Sequence, residues 1–177
     1  LLLMDFLGHY GSLVRGERLT RERPRPYCDY IAWLRKQDIN AAESFWRAYL
    51  HNFPTPTPLP YDRLPEGLAD QNEDAADHCL HLSAETSATL VDLAQRHRLT
   101  VNTFFQGAWA LLLNYYSGER EVLFGVTVAG RPPELPGVES ILGLFINTLP
   151  LRISMQPDRS LMDWLKDLLA ENVRVRQ

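Results

Sequence analysis

The 177-residue sequence is poor in cysteine and has no long apolar run, and each shortage excludes a class of protein. Two cysteines, Cys28 and Cys79, are too few for a disulfide framework, so we expect a protein of the reducing cytoplasm. No apolar stretch approaches the about 18 residues of a membrane-spanning helix. A formal net charge of -4 argues against nucleic acid as a partner. We therefore expect a cytoplasmic protein that binds neither membranes nor nucleic acids.

Motifs that would identify an enzyme from residue types alone are also missing. The sequence has no G-x-S-x-G nucleophile elbow, and Gly125-x-x-x-x-Gly130-Arg131 lacks the lysine and the hydroxyl residue that follow the second glycine of a phosphate-binding loop. His78, Cys79 and His81 lie close together in a segment that alternates like a strand. The two histidines would then point to opposite faces, and no fourth ligand lies nearby. We predict no metal site and no catalytic residue from these patterns.

The segment Ile141–Arg152 is the most informative part of the sequence, because it is an apolar strand with an amide in its middle. Alternation would place Phe145 and Asn147 on one face and Leu144 and Ile146 on the other. Asparagine is uncommon in strands and costs free energy when it is buried without partners. Two interpretations follow: a core asparagine bonded to neighbouring backbone, or an amide used at a functional site.

Three segments resemble, in the same order, signatures of condensation domains from nonribosomal peptide synthetases. Residues 27–33 (YCDYIAW) are similar to the family's Y-x-D-[YF]-A-x-W. Residues 124–132 (FGVTVAGRP) are similar to F-G-x-T-x-[SA]-G-R-P, and residues 142–152 to [IV]-G-x-F-[VI]-N-T-x-x-x-R. Ala129 stands where many members carry serine, so any role of a hydroxyl there is lost. The chain is identified by these segments as a member of that family.

The resemblance implies an α/β fold (an α+β sandwich) like that of chloramphenicol acetyltransferase, with two lobes in a V and a tunnel between them. Residues 1–60 would form the end of the N-terminal lobe and a proline-rich crossover, and residues 61–177 would form part of the C-terminal lobe. The family's catalytic signature, H-H-x-x-x-D-G, is absent, because no two of the five histidines are adjacent. We therefore expect a fragment, mostly of the C-terminal half, that is inactive in isolation.

For function, the resemblance implies formation of peptide (amide) bonds between aminoacyl or peptidyl thioesters. The partners would be donor and acceptor peptidyl carrier domains and a neighbouring adenylation domain. The chain would have no cofactor of its own, because the carrier domains would supply the phosphopantetheine arms. The resemblance also implies five substrate-binding residues: Asn147, Phe145, Ala129, Gly130 and Arg131. Two alternatives are a non-catalytic relative that recruits a partner protein and a free-standing acyltransferase of the same fold.

Periodicity and capping residues predict the elements. We predict helices over residues 1–14, 30–36, 41–50, 84–98, 101–116 and from 161, and strands over 78–82, from 121 and around residue 147. The predicted N-caps of the last four helices are Asn40, Ser83, Thr100 and Ser160.

The apolar arc of residues 101–116 is wide enough to predict a buried helix. A lobe separated from its partner would expose apolar surface, so we also expect self-association. Phe6, Trp46 and Trp109 are the candidate residues of that surface.

Overall fold

The computed structural model describes residues 2–17, 24–53, 57–58 and 79–176. The elements within these ranges are helices α1 (Leu2–Val14), α2 (Tyr27–Leu34), α3 (Ile39–Tyr49), α4 (Ala84–His97), α5 (Val101–Ser117) and α6 (Leu161–Arg174), strands β1 (Glu121–Ala129) and β2 (Ile146–Ser154), and a short 3₁₀ helix (Val138–Ser140).

The chain forms two compact units. The first contains Leu1–Tyr49 and Thr127–Thr148, and the second contains Leu50–Val126 and Leu149–Gln177. The predicted division at residue 60 lies outside the described residues and stays a prediction.

Three of the predicted N-caps are confirmed. Ser83, Thr100 and Ser160 each accept a hydrogen bond from the backbone N–H three residues later, at 3.0, 3.1 and 3.2 Å. Each bond satisfies one of the N–H groups that the first turn of a helix leaves without a partner. Gly118 ends α5 in the left-handed conformation, with φ 72°, as its position after the last helical residue predicts.

The predicted start of α3 is wrong by two residues. The helix begins at Ile39, and the Ala41 N–H donates to Asp38 Oδ1 at 3.0 Å. Asn40 therefore lies inside the first turn and does not cap the helix. Both side chains suit the cap position, so residue type alone did not distinguish them.

The start of α2 and the predicted strand at 78–82 also differ from expectation. Helix α2 begins at Tyr27, directly after Pro26, whose extended conformation (ψ 146°) suits the residue before a helix. Residues 79–82 form no strand, and residue 78 lies outside the described residues. Alternation alone does not make a strand when no neighbouring strand supplies its hydrogen bonds, and Leu80 is 80% exposed.

Strands β1 and β2 pair with each other in an antiparallel sheet. At one end Gly130 N–H donates to Phe145 O at 2.6 Å, and at the other Met155 N–H donates to Arg120 O at 2.7 Å. Arg120 and Gly130 on one strand are separated by the same number of residues as Phe145 and Met155 on the other. The register is therefore unbroken between these two bonds.

One face of the sheet is buried, and alternation predicts that Val122 and Val126 of β1 lie on the same face. Val122 and Val126 are buried on β1, and Leu151 and Ile153 are buried on β2. The register places Val122 opposite Ile153, so these side chains share a face.

On the outer edge of each strand, at least one residue has no free backbone N–H. The Thr57 hydroxyl oxygen accepts from Leu123 N–H at 2.9 Å and lies 3.3 Å from Leu123 O, on the outer side of β1. On β2, Pro150 lies opposite Gly125, where a backbone N–H would point away from β1. The missing N–H of Pro150 therefore removes no hydrogen bond from the sheet.

The second unit is built on the contact between α5 and α6. Helical spacing predicts a buried face on α6, formed by Leu161, Trp164, Leu165, Leu168 and Leu169. Trp164, Leu165 and Leu168 are buried and Leu169 is half-buried, but Leu161 at the start of the helix is 54% exposed. The expectation of a buried α5 is wrong: its buried positions are Thr103, Gly107, Ala110 and Leu113, whereas Phe105, Trp109 and Leu112 are exposed. The buried face consists mostly of small residues because α6 approaches closely at Gly107, where a Cβ would lie 2.5 Å from Leu165 Cδ2.

Candidate functional site

The first unit contains a compact group of side chains drawn from the first and third signature-like segments and from the loop between β1 and β2. We call it the Phe145 cluster, and its members are Leu135, Val138, Ile141 and Phe145, with Tyr27, Tyr30 and Trp33 packed against them. Tyr27, Tyr30 and Trp33 are three residues apart, so one face of α2 presents all three rings. The loop between β1 and β2 provides the other four members.

Phe145 lies at the centre of this cluster. Its ring centroid is 5.4 Å from that of Tyr27, edge-on at 83°, and 4.6 Å from that of Tyr30. Tyr30 also stacks on Trp33, with centroids 6.2 Å apart. Edge-on and offset arrangements suit the aromatic quadrupole, so the rings favour this geometry beyond their burial. The cluster therefore fixes the residue immediately before β2.

Tyr27 holds the loop at two adjacent residues. Its hydroxyl donates to Leu144 O at 2.7 Å. Its ring lies so close to Gly143 that a Cβ there would come within 2.1 Å of Tyr27 Cδ2. Glycine at 143 is thus a steric requirement of the position of Tyr27.

Arg131 contacts the same loop at other residues. Its Nη1 donates to Val138 O, and Nη1 and Nη2 each donate to Ile141 O at 3.2 Å. The guanidinium carbon also lies 3.9 Å from the centroid of the Phe145 ring. The Val138 carbonyl also accepts from Ile141 N–H at 3.2 Å, so the guanidinium adds a second donor there and supplies donors to the carbonyl of Ile141.

Further contacts join α2 to the same loop. Arg25 Nε donates to Asp29 Oδ2 at 2.7 Å, and Arg25 Nη1 donates to Pro136 O. Burial, and secondarily the neighbouring Tyr27, raise the pKa of the Tyr30 phenol. Tyr30 therefore stays a neutral phenol at physiological pH.

Asn147 is not buried, which corrects the expectation of an amide in the protein core. The residue is exposed, and its Oδ1 accepts from Thr148 N–H at 2.8 Å. Alternation places Leu149 and Leu151 of β2 on the same face as Asn147. Leu151 is buried and Leu149 is half-buried, but Asn147 is exposed. Burial depends on what covers a strand, and the alternating pattern carries no information on that.

The five predicted site residues do not form a single surface. Gly130, Arg131 and Phe145 come together through the contacts described above. Ala129 and Asn147 are both exposed but lie on opposite faces of the sheet, because Ala129 is opposite Ile146 in the register. The aromatic residues of α2 were not among the predicted site residues, although the spacing of Tyr27, Tyr30 and Trp33 was a usable signal.

The described part of the chain contains no group of three or more histidine, cysteine, aspartate or glutamate side chains that could hold a metal ion. In the same part, no helix is long and apolar enough to cross a membrane.

Comparison with protein families gives a match to the condensation domain over residues 1–177, the whole chain. The chain belongs to the condensation domain family. The resemblance of its three segments is thereby confirmed, and these are the segments that supply most of the Phe145 cluster and its contacts.

Curated relatives in peptide synthases support the assignment. A linear gramicidin synthase of Brevibacillus parabrevis is 45% identical over 177 residues, which are 100% of this chain and 4% of that protein. Chondramide synthase cmdD of Chondromyces crocatus is also 45% identical, with the same two coverages. The chain thus spans only a small part of the relatives that it matches.

Solved structures confirm the predicted chloramphenicol acetyltransferase-like α/β fold. The X-domain from teicoplanin biosynthesis matches with a TM-score of 0.75 and 26% identity, over 96% of this chain and 39% of that chain. The epimerization domain from the third module of tyrocidine synthetase B matches with a TM-score of 0.76 over 99% of this chain and 40% of that chain. At 18% identity, the second match shows the fold alone.

Proposed function

We propose that the chain is part of a condensation domain that forms peptide bonds between carrier-bound aminoacyl or peptidyl thioesters in nonribosomal peptide synthesis. The observation that carries the proposal is the family match over residues 1–177, together with relatives that are named as peptide synthases. The order of the three signature-like segments within the matched residues agrees with it.

The reaction in this proposal is acyl transfer. The amine of an acceptor aminoacyl thioester attacks the carbonyl of a donor thioester, a C–N bond forms, and the donor's thiol leaves. Donor and acceptor peptidyl carrier domains hold the two substrates on phosphopantetheine arms. Holding both reacting groups at one point converts a bimolecular step into an effectively unimolecular one. An adjoining adenylation domain would load the acceptor, and the whole assembly would work in the cytoplasm.

The proposed role of this chain is to bind and orient substrate. Asn147 is the strongest of the proposed substrate-contacting residues, because its amide is exposed and its side-chain nitrogen has no hydrogen-bond acceptor among the described residues. Ala129 and Gly130 offer a small side chain and a backbone, which would let a thioester arm pass close to β1. The histidine pair of the family's catalytic signature does not occur in the 177 residues, so we expect the isolated chain to be inactive.

Dipeptide formation by the intact parent synthetase module tests the proposal. Donor and acceptor carriers are loaded with their aminoacyl groups, loading is verified by mass spectrometry, and product is measured on the acceptor carrier. A dipeptidyl thioester on the acceptor is the expected result, and it should vanish when the acceptor carrier is left unloaded.

Two outcomes would overturn it. Fully loaded carriers that yield no dipeptide would favour the partner-recruiting alternative. Equal turnover with a soluble acyl thioester and no carrier would favour a free-standing acyltransferase.

A further inference from the structure

The Thr57 side chain takes the place of a neighbouring strand at the outer edge of β1. Its hydroxyl oxygen accepts from Leu123 N–H at 2.9 Å and lies 3.3 Å from Leu123 O. A hydroxyl can donate one hydrogen bond while it accepts another. One side chain therefore serves both outward backbone groups of Leu123, from a position 66 residues earlier in the sequence.

Arg152 of β2 lies directly opposite Leu123 in the register. The backbone groups of this pair point away from the partner strand, which is the arrangement that brings the two Cα atoms closest. Arg152 Nη1 donates to His51 O at 2.9 Å, and its guanidinium carbon lies 5.4 Å from the centroid of the Phe53 ring. Both members of one cross-strand pair are thus attached to residues that follow closely after α3.

We call residues 51–53 and 57 the strap, and residues 54–56 between its two ends lie outside the described residues. The first end is a turn, in which Asn52 has φ 59° and Phe53 N–H donates to Leu50 O at 3.1 Å. Asparagine adopts this left-handed conformation more readily than most other residues. Asn52 lies between the two groups that contact Arg152, which are the carbonyl of residue 51 and the ring of residue 53.

Glu121 connects Arg152 back to β1. Its Oε2 accepts from Arg152 Nη2 at 2.6 Å, and the side chain of Arg152 is only 21% exposed. Residues 121 and 123 lie on the same face of β1, because side chains alternate along a strand. The planar guanidinium therefore contacts the strap and both strands at once, whereas a lysine ammonium is a single compact donor group.

We propose that the strap is a conformational device that locks the register of β1 and β2 by holding the Leu123–Arg152 pair from both strands. The sheet has two strands among the described residues, and such a ribbon is marginally stable by itself. A slip of one residue would exchange the faces of the side chains. Arg152 would then no longer lie opposite Leu123, so the pair could not hold both ends of the strap. The inference goes beyond the proposed function, because it concerns strand pairing and not condensation.

Amide hydrogen exchange at Leu123 in the intact synthetase module tests the first anchor, with Thr57→Val and Thr57→Ser as matched variants. Valine keeps the shape of threonine but removes the hydroxyl, whereas serine keeps the hydroxyl. We expect Thr57→Val to accelerate exchange at Leu123 by about 2- to 10-fold, the equivalent of one hydrogen bond. Thr57→Ser should match wild type. Equal exchange in Thr57→Val and wild type would overturn the proposal, since the hydroxyl would then not hold β1.

Arg152→Lys tests the second anchor, because it preserves the charge and removes the geometry of the guanidinium. Exchange should accelerate by about 2- to 10-fold in peptides that cover residues 120–126 and 149–155. Arg96→Lys is the matched control in the same unit, because Arg96 is 70% exposed and pairs with Asp92 one turn away on α4. If Arg152→Lys and Arg96→Lys exchange alike in these peptides, the second anchor does not exist and the inference fails.

A double variant distinguishes one strap from two separate contacts. In an Arg152→Lys background, Thr57→Val should accelerate exchange less than it does in wild type, because the pair has already been released. Effects that add on the logarithm of the exchange rate would show two independent contacts and overturn the proposal. Peptides of α5 and α6 report on general destabilisation of the same unit, and acceleration there as large as in β1 and β2 would also overturn it.

Discussion

The ring of Tyr27 occupies the space where a side chain at residue 143 would lie, with Tyr27 Cδ2 2.1 Å and Cε2 2.5 Å from an ideal Cβ on Gly143. No side-chain atom fits there unless the ring moves. The same tyrosine donates its hydroxyl to the next residue, Leu144, so moving the ring would also break that bond. One residue of α2 thus determines which amino acid the loop can carry at position 143.

Gly143→Ala should destabilise the first unit. Forcing a methyl group into packed space costs about 1–3 kcal/mol of unfolding free energy, which a urea titration followed by tyrosine and tryptophan fluorescence would measure. Gly11→Ala is the matched control, because the nearest atom to its Cβ is the end of the Arg15 side chain at 3.3 Å. In a helix, that change should be neutral or gain up to about 1 kcal/mol. Equal effects at the two sites would show that Tyr27 does not restrict residue 143.

Gly107→Ala should weaken the contact between α5 and α6. The new methyl group would meet Leu165 Cδ2 at 2.5 Å and Trp164 Cζ3 at 3.2 Å. We expect the thermal unfolding midpoint to fall despite the better helix propensity of alanine. In a Leu165→Ala background the same change should cost less, because the clashing side chain has been removed. A cost that is the same in both backgrounds would contradict this explanation.

The N-terminus of α6 should give the protein a pH dependence in acid. The hydroxyl of Ser160, and then Lys166, lower the pKa of Asp163 below its ordinary value of 3.8. Because the folded state holds the proton less tightly than the unfolded state, the stabilisation is present above pH 3.8 and is lost as the pH falls through the lower folded pKa.

Asp163→Asn should therefore lower the thermal midpoint at neutral pH, and the difference from wild type should shrink in acid. In a Ser160→Ala background the difference should be smaller at every pH, because the largest cause of the shift is gone. A difference that grows as the pH falls would give the wrong sign and refute the assignment.

Asn147→Leu should reduce condensation by the intact parent while the thermal midpoint changes little. The residue is exposed, so leucine neither creates a cavity nor buries an unpaired group. The change frees Thr148 N–H from its bond to Asn147 Oδ1, but an exposed N–H can bond to water. Exposed Gln95→Leu on α4 is a control for the added apolar surface. A large fall in the midpoint with normal turnover per folded molecule would show that the amide is structural.

The isolated 177-residue chain should self-associate. Phe6 on α1 is 64% exposed, and Phe105 and Trp109 on α5 are 56% and 46% exposed. Trp46, the third candidate residue of the apolar surface, is instead half-buried and contacts Phe45 and Tyr49. Large exposed apolar patches favour association, which light scattering over a concentration series would detect. Trp109→Glu should weaken it more than Gln95→Glu, and a strictly monomeric chain at high concentration would contradict the expectation.

The elements that could be predicted are those with local signals. Caps at Ser83, Thr100 and Ser160 depend on a residue and its own next turn, so sequence alone is sufficient. The stripe on α6 and the alternation of β1 are likewise properties of one segment. The start of α3 was not decided by such a signal, since Asp38 and Asn40 are both good caps.

The site was harder to predict because its contacts join distant segments. That Tyr27 would reach Leu144, 117 residues later, was not readable from either segment by itself. Which side of α5 is buried was not predicted for a similar reason, because burial follows the small residues that allow α6 to approach at Gly107. The family resemblance brought the right segments together, but it did not reveal that Arg131 bonds to the loop.

The outer edge of β2 is a poor template for a strand from another molecule. An added strand needs an outward N–H or C=O at every second residue. At residue 148 the Asn147 side chain already accepts the outward N–H, and two residues later Pro150 has none. Two successive outward donors are therefore missing in the middle of the edge. Leu144 and Ile146 beside it are apolar and exposed, which favours strand addition, but the missing donors would interrupt cross-β growth at this point.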